Sequence, residues 1–270
     1  MVSFVIYYHS TRVSNLLQTI RFLEKREPDL KDSELVLVCQ DKQIDISSHF
    51  ASTINIGLEI GTYKKPVMCN AGVRAAKHDL IVLMDSDRIL PYGFFTKHTK
   101  NFPQKSMLTS VRLYKLQQDY TDEQIESGEI QKVEDFKSST NEIRKKNMFS
   151  GNTIFWKDDF LECGGMDESF VGYGYADNDI THNMLHSGIE PTYLFDEELH
   201  LNHPCSIFVE YEEITQFKII SAINGVRYMK KWKIPLSKSF YELHKEIMEG
   251  DFDPNKKAEF RKLAASLLCI

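Results

Sequence analysis

The sequence predicts an α/β fold whose core is a mixed, mostly parallel sheet. Three nearly continuous apolar stretches, VSFVIYY, ELVLVCQD and DLIVLMDSD, have the pattern of strands that are buried on both faces. Helical patterns separate these stretches along the chain, and strands that alternate with helices indicate parallel pairing. Ligands of such sheets bind outside the carboxyl ends of the strands, so the residues that follow each strand are the first candidates for a site.

The clearest elements lie at the start of the chain. The strand at residues 2–8 is followed by the amphipathic helix RVSNLLQTIRFLEKR, whose apolar positions have helical spacing. The second strand ends beside Asp41, and KPVMCNAGVRAA is predicted to be a second helix. The third strand ends at Asp85-Ser86-Asp87. The polar residues of YYHSTR, CQD and DSD are therefore expected at one edge of the sheet.

The rest of the chain changes in composition. Residues 115–148 are polar and charged, which predicts either a solvated helical insertion or a lid that becomes ordered over a substrate. From about residue 206 the chain is predicted to be helical, and Asp253-Pro254 has the pattern of a cap and first residue of the last helix. We therefore expect one domain at residues 1–205, with 115–148 as its insertion, and a helical extension at 206–270 that packs on it.

Composition excludes several classes of function. A net charge of −6 argues against a nucleic-acid partner, since no basic surface would attract phosphates. The five cysteines show no CxxC spacing and are expected to be reduced, which is typical of a cytoplasmic protein. The apolar pattern predicts neither a signal peptide nor a membrane span. The tail KKAEFRKLAASLLCI has two interpretations, weak docking at the inner face of a membrane or a helix packed on its own domain.

The sequence Asp85-Ser86-Asp87 has three interpretations. It is a solvated turn after a strand, a carboxylate pair of a hydrolase, or a site for a hard cation such as Mg²⁺ or Mn²⁺. A cation of that kind typically binds one or two carboxylates and completes its ligands with substrate phosphates. These three residues alone do not decide between the interpretations.

A second segment, residues 151–188, adds a Gly-Gly turn, the sequence MDESF and the sequence GYGYADNDI. Glycines around Tyr173 and Tyr175 let the backbone approach a flat ligand, and the aromatic rings are available to stack on it. Asp177 and Asp179 are predicted to lie where a helix begins, so N-capping alone also explains them.

These motifs, in this order, resemble those of the GT-A-fold glycosyltransferases of the family 2 type. The later segment is similar to the carboxyl-terminal segment of β-1,4-galactosyltransferases and bacterial chondroitin-type polymerases. That family has a DxD after a buried strand, a GG.D..F.G.G.ED.D segment and a later histidine near an HP pair. This chain has DSD at 85–87, then GGMDESFVGYGYADND, then HLNHP at 200–204, and the resemblance covers roughly residues 2–210.

The resemblance implies a Rossmann-like GT-A fold and inverting transfer of a sugar from a UDP-sugar to a hydroxyl of a glycan or lipid-linked acceptor. A sugar of galactose or N-acetylgalactosamine type and a role in polysaccharide biosynthesis are expected. Mn²⁺, or Mg²⁺ in its place, is the expected cofactor. Asp87 and Asp85 are the expected metal ligands, with His203 as the third ligand and His200 as the alternative to it. Asp177 is the expected catalytic base.

The resemblance also implies the donor-binding residues. The loop after the first strand is expected to contact uridine, the acid after the second strand to contact uracil, and Lys65 to lie near the diphosphate. A lysine stands there in place of the family's arginine, which keeps the charge but loses the bidentate fork. The full predicted set is Tyr8, His9, Arg12, Gln40, Asp41, Lys65, Asn70, Asp85, Ser86, Gly151 and Asn152.

One departure from the family pattern concerns the catalytic segment. Tyr175 and Ala176 stand where the family has glycine and glutamate, and that glutamate usually helps to hold the sugar or the acceptor. The departure predicts a changed sugar or acceptor preference. It also leaves open a non-catalytic sugar-nucleotide or glycan-binding module on the same scaffold. A nucleotidyltransferase is a further alternative, but it would normally have a glycine-rich basic loop, and YYHSTR has no glycine.

Overall fold

The computed structural model of the protein describes residues 1–27, 30–41, 45–46, 48–60, 63–116, 140–144, 148–203, 214–235 and 238–268. The strands in these residues are β1 (Ser3–Tyr8), β2 (Glu34–Cys39), β3 (Ser52–Gly57), β4 (Leu80–Asp85), β5 (Arg88–Ile89), β6 (Ser106–Leu116), β7 (Thr140–Arg144), β8 (Asn152–Trp156) and β9 (Glu190–His200). The helices are α1 (Val13–Arg26), α2 (Lys65–Ala75), α3 (Phe94–Thr99), α4 (Lys157–Glu162), α5 (Ala176–His186), α6 (Ile214–Trp232), α7 (Lys238–Glu249) and α8 (Pro254–Leu268).

All nine strands form one mixed sheet in the order β3-β2-β1-β4-β8-β6-β9-β5, and β7 pairs with β6. The pairs β3–β2, β2–β1 and β1–β4 are parallel, whereas β8 runs antiparallel to both β4 and β6. Beyond them, β9 is parallel to β6, and the short strand β5 is antiparallel to β9. The predicted α/β fold with a mixed sheet is confirmed, but the sheet is not mostly parallel, since four of the described strand pairs are parallel and four are antiparallel. The parallel part formed by β3, β2, β1 and β4 contains the three strands that the apolar stretches predicted.

Helices cover both faces of the parallel half. Leu16 of α1 and Phe95 of α3 pack on one face, together with Phe4 of β1. On the other face α2 packs directly against β1. It can do so because Gly72 has no side chain that would separate the helix from the strand. A Cβ at Gly72 would lie 2.4 Å from a methyl carbon of Val5. This close packing fixes α2, and therefore its first residue, relative to the ends of β1 and β4.

The three carboxyl-terminal helices have an apolar cluster of their own. It contains the buried side chains Ile219, Ala222, Ile223, Val226, Phe240, Ile247, Phe260 and Ala264. Asp253 accepts a hydrogen bond of 2.7 Å from the Asn255 amide, and α8 begins at Pro254, as the sequence predicts. The division of the chain near residue 205 stays a prediction.

Several expectations fall on residues that the structure does not describe. Residues 117–139 and 145–147 of the predicted insertion lie outside the described residues, as do residues 204–213. The choice between a lid and an inert insertion therefore stays a prediction. Cys39, Cys69 and Cys163 are free thiols. Among the described helices, none combines the length and the apolar character that crossing a membrane requires.

Candidate active site

The site forms where the parallel strands end. The neighbours β1, β2 and β4 are parallel, so the residues after Tyr8, Cys39 and Asp85 meet at one edge of the sheet. The strand β9 ends at the same place, because β5 pairs Arg88 with His200. This pairing brings the HLNH sequence to Asp87, which is far from it in the chain.

Asp87 is the buried centre of this edge. One of its carboxylate oxygens lies 2.8 Å from Arg12 Nη1, 2.9 Å from His203 Nε2 and 3.7 Å from His200 Nε2. Asp87, His200 and His203 each offer one ligand atom, and these atoms all lie within 4.8 Å of one another. Both histidines that the sequence offered as alternatives therefore lie beside Asp87.

The protonation states of these groups suit a metal ion. Burial lowers the pKa of His200 to about 3, so its imidazole is neutral near pH 7. Burial by itself would raise the pKa of Asp87, but the guanidinium groups of Arg88 and Arg12 and a hydrogen bond with His203 hold it well below its usual range. An ionised carboxylate with two imidazoles fits a transition-metal ion such as Mn²⁺. It fits Mg²⁺ less well, since Mg²⁺ prefers oxygen ligands.

Arg88 connects three carboxylates at this edge. Its guanidinium lies 2.7 Å from Asp85, 3.0 Å from Asp87 and 3.5 Å from Glu198. Glu198 is fully buried and accepts a hydrogen bond from the Asn152 side chain. Burial raises the pKa of Asp85 to about 7 against the opposing charge of Arg88. Asp85 is not part of the group of three possible metal ligands.

The sequence reasoning missed Arg88 and Glu198. The signal for Arg88 was a basic residue directly after two acids at the end of a buried strand. The signal for Glu198 was an acidic pair inside a strand that ends on a histidine. A buried charge needs a partner of opposite sign. A buried arginine therefore indicates a carboxylate nearby, and a buried glutamate indicates a basic side chain nearby.

Lys65 connects this edge to the start of α5. As the first residue of α2, it places its ammonium group 2.7 Å from Asp177 and 3.8 Å from Asp85. It also donates a hydrogen bond of 2.9 Å to the Phe149 carbonyl. Burial by itself would lower the pKa of Lys65, but the Asp177 carboxylate, together with Cys69 and Tyr63, raises it. The lysine is therefore a positive charge between the predicted base and the DSD edge.

Asp179 has a different environment from Asp177, although both lie in the first turn of α5. Asp179 is fully buried and accepts hydrogen bonds of 2.7 Å from Lys231 and 2.8 Å from the Trp232 indole. These two residues belong to α6, so Asp179 ties α5 to the carboxyl-terminal helices. Asp177 is 24% exposed and faces Lys65.

The loop before α5 uses its two tyrosines differently. Tyr175 has a φ of 65°, and its ring centroid lies 5.4 Å from that of Tyr228. Gly225 makes room for this ring, because a Cβ there would lie 2.9 Å from a Tyr175 ring carbon. Tyr173 is 52% exposed and lies between Gly172 and Gly174, which both have positive φ. Of the two residues, Tyr173 is the more exposed.

The predicted uridine contacts lie together after β1 and β2. Asp41 accepts a hydrogen bond of 2.5 Å from Ser10, and its carboxylate lies 3.3 Å from His9 Nε2. Tyr8 and Gln40 are buried beside it, and the backbone N–H of Gln40 donates a hydrogen bond to the Tyr8 carbonyl. The loop and the acid that the sequence assigned to one nucleoside are therefore neighbours.

The other predicted donor-binding residues have mainly internal partners. The Asn70 side-chain amide bonds both the N–H and the carbonyl of Met166, at 2.9 and 2.8 Å, and thereby holds the Gly-Gly turn. Ser86 is buried, and its carbonyl accepts a hydrogen bond from Thr19. The Gly151 carbonyl accepts a hydrogen bond of 2.7 Å from the Asp85 amide.

Comparisons with known proteins agree with this architecture. A family described as the N-terminal domain of galactosyltransferase matches residues 134–213. The S. aureus TarS structure has 11% identity to this chain and a TM-score of 0.56. The matched region covers 99% of this chain and 42% of the TarS chain. GalNAc-T7 with UDP, GalNAc and Mn²⁺ has 13% identity and a TM-score of 0.62, with coverages of 98% and 54%. No curated protein sequence matches the chain.

A third structure is a mannosyltransferase from Pyrobaculum calidifontis in complex with GDP-Man and Mn²⁺. It has 10% identity and a TM-score of 0.53, and covers 99% of this chain and 75% of its own. The chain spans about half the length of the TarS and GalNAc-T7 structures. At these identities the likeness shows the fold, which is the GT-A fold expected from the sequence motifs. The fold and the galactosyltransferase segment together support a glycosyltransferase.

Proposed function

We propose that this chain, with its GT-A fold and its galactosyltransferase segment, is an inverting, metal-dependent glycosyltransferase. The observation that carries the proposal is a continuous set of contacts at one sheet edge. Arg88 joins Asp87 to Asp85, and Lys65 joins Asp85 to Asp177. A metal-capable group, a cation for a diphosphate and a partly exposed carboxylate are the parts that sugar transfer from a nucleotide sugar requires.

Asp87, His200 and His203 would hold the cation, which we propose to be Mn²⁺, with Mg²⁺ as the alternative. When bound, the cation supplies a Lewis acid that neutralises charge on the departing diphosphate. Arg88 orients Asp87 by holding one of its oxygens at 3.0 Å. Asp85, which shares Arg88 with Asp87, is proposed to face the ribose or the cation.

The chain's own side chains perform the remaining steps. Lys65 provides positive charge to the diphosphate, and His9, Gln40 and Asp41 hold the nucleoside at the ends of β1 and β2. Asp177 accepts the proton of the acceptor hydroxyl at a carboxylate oxygen as general base. Attack from the face opposite the leaving group gives inversion at the anomeric carbon, through an oxocarbenium-like state.

The donor that we propose is a UDP-sugar of galactose or N-acetylgalactosamine type. The galactosyltransferase segment supports this sugar class, and GalNAc-T7, which has the same fold, binds UDP and GalNAc. The acceptor is proposed to be a glycan or a lipid-linked saccharide in polysaccharide biosynthesis. A lipid-linked acceptor would bring a cytoplasmic enzyme to the inner membrane face.

A release assay tests the proposal. The purified protein is incubated with Mn²⁺ and separately with UDP-galactose, UDP-N-acetylgalactosamine, UDP-glucose and GDP-mannose, and the free nucleotide diphosphate is measured. We expect slow, Mn²⁺-dependent release of UDP that EDTA stops. Release from GDP-mannose alone would contradict the proposed donor, and no release from any donor, with or without a saccharide acceptor panel, would contradict the activity.

Two observations favour a second candidate, a non-catalytic module that binds sugar nucleotides or glycans. Ala176 replaces the family's glutamate, and Lys65 occupies the Asp177 carboxylate at 2.7 Å. Such a module would bind UDP as tightly as an enzyme does, which calorimetry would measure. It would release no UDP from a UDP-sugar when acceptors are added. Turnover with any acceptor would exclude it.

A further inference from the structure

The ammonium group of Lys65 lies between two acids with different proposed tasks. It forms an ion pair with Asp177 at 2.7 Å and donates a hydrogen bond of 2.9 Å to the Phe149 carbonyl. Asp85 is 3.8 Å away, which is beyond hydrogen-bond distance. The strongest contact that Lys65 makes is therefore with the proposed base and not with the DSD edge.

This contact opposes the proposed chemistry. A general base must offer an oxygen lone pair to the acceptor hydroxyl, within about 2.6–3.2 Å. In this structure an ammonium ion occupies one oxygen of the Asp177 carboxylate within that distance. The Asp177 side chain is 24% exposed, but the oxygen that contacts Lys65 is buried, so this ion pair is shielded from solvent.

We propose that the diphosphate of the donor competes with Asp177 for Lys65, so that donor binding frees the base. The proposal rests on the proposed function, because it needs a nucleotide diphosphate at the DSD edge. A diphosphate carries more negative charge than one carboxylate and more acceptor oxygens, so it is the stronger partner for an ammonium ion at short range. Lys65 is 12% exposed, which limits the water that would otherwise weaken both contacts.

The exchange sets an order of events. Lys65 holds one oxygen of the Asp177 carboxylate and lowers the basicity of the group until a diphosphate draws the ammonium group away, and the base then has its full strength toward an acceptor hydroxyl. Lys65 is a positioning residue in this scheme, since it acts on the acceptor through Asp177. The family's glutamate is absent beside it, because residue 176 is alanine, and no carboxylate at that position competes for the lysine.

UDP affinity tests the exchange without any turnover. We expect Asp177→Asn to bind UDP in the presence of Mn²⁺ about three- to tenfold more tightly than the parent, because Lys65 no longer has to leave a carboxylate. Calorimetry measures the affinity. Asp158→Asn is the matched control, because Asp158 is an exposed aspartate in the first turn of α4, and its UDP affinity should equal that of the parent.

The loss of charge repulsion between Asp177 and the diphosphate would also tighten binding, so a second background is needed. In Lys65→Met, which should bind UDP more weakly than the parent, only the loss of repulsion remains, so the added Asp177→Asn substitution should tighten binding clearly less than it does in the parent. Tightening of equal or greater size in the Lys65→Met background would overturn the exchange. Lys65→Gln replaces Lys65→Met if melting curves show that the methionine variant is unfolded.

The outcomes separate this proposal from the proposed function. A parent protein that binds UDP, with an Asp177→Asn variant of equal or lower affinity, overturns the exchange and leaves the glycosyltransferase proposal intact. A folded parent that binds no UDP with Mn²⁺ overturns both proposals. Tighter binding by Asp177→Asn that becomes clearly smaller without Lys65 supports both.

Discussion

Asp85 and Asp87 lie at the end of a buried strand, whereas Asp177 and Asp179 lie in the first turn of a helix, but the two pairs are arranged alike. In each pair one carboxylate is almost completely buried and the other is partly exposed. The partly exposed members, Asp85 and Asp177, both face Lys65. The buried members, Asp87 and Asp179, each bind cationic side chains from elsewhere in the chain.

The difference between the buried members lies in their partners. Asp87 has two imidazole groups beside it, which a cation can use as ligands. Asp179 has the Trp232 indole and Lys231, which donate hydrogen bonds and cannot bind a cation in these states. Burial of an acid therefore does not identify a metal ligand, and the chemistry of its neighbours does. Five substitutions test this comparison.

The largest effect is expected at Asp87. Asp87→Ala removes the only carboxylate of the metal-capable group and should abolish the metal dependence of UDP binding. Calorimetry of UDP with and without Mn²⁺ measures this dependence, and Asp158→Ala serves as the control. An Asp87→Ala protein that is folded and keeps the parental metal-dependent affinity would remove this residue from the mechanism.

Asp177→Asn keeps the size of the side chain and removes the proton acceptor. Sugar transfer should fall by roughly 10²–10⁴-fold, the usual contribution of a positioned general base. The melting temperature should fall, since Lys65 loses its ion pair with Asp177, so the transfer rate is compared per folded molecule. Transfer rate at saturating donor measures the effect. Transfer at the parental rate by a folded variant would exclude Asp177 as the base.

Asp179→Asn should have the opposite profile. The substitution removes the buried charge that binds Lys231 and weakens the contact with Trp232, so the free energy of unfolding should fall by roughly 1–3 kcal/mol. Transfer per folded molecule should remain close to the parental value. Urea unfolding followed by fluorescence gives the stability. A large loss of transfer with unchanged stability would mean that the two members of the pair share the chemistry.

The smallest effects are expected at the two histidines. His203→Ala and His200→Ala should each weaken Mn²⁺ binding by about tenfold, or about 1.4 kcal/mol, because water can replace one neutral ligand. Titration of Mn²⁺ in the presence of UDP measures the affinity. If only one substitution has this effect, the other histidine is a neighbour of Asp87 and not a ligand.

The sequence predicted the parallel half of the sheet well, for a physical reason. Strands β1, β2 and β4 are buried on both faces, so each is a continuous apolar stretch, and their limits agree with the prediction to within about two residues. Strand β3 is only partly buried, and β5, β6 and β9 join segments that are distant in the chain. Such pairings leave no local pattern in the sequence.

The candidate site divides in the same way. The DSD edge follows from where a strand ends, and the start of α5 follows from its acids and glycines. The contact between Lys65 and Asp177 joins two elements that no local pattern connects. The burial of Asp179 depends on Lys231 and Trp232 of α6. The sequence near α5 alone does not distinguish Asp179 from Asp177, because both lie in the first turn of the helix.

The pairing of the two-residue strand β5 with the end of β9 has a kinetic consequence. The metal-capable group exists only when this pairing has formed, and contacts between distant segments generally form late in folding. We infer that Mn²⁺ with UDP stabilises the native state and hardly stabilises the folding transition state. Stopped-flow measurements should then show slower unfolding with an unchanged folding rate, so that the lifetime of the folded chain depends on its nucleotide.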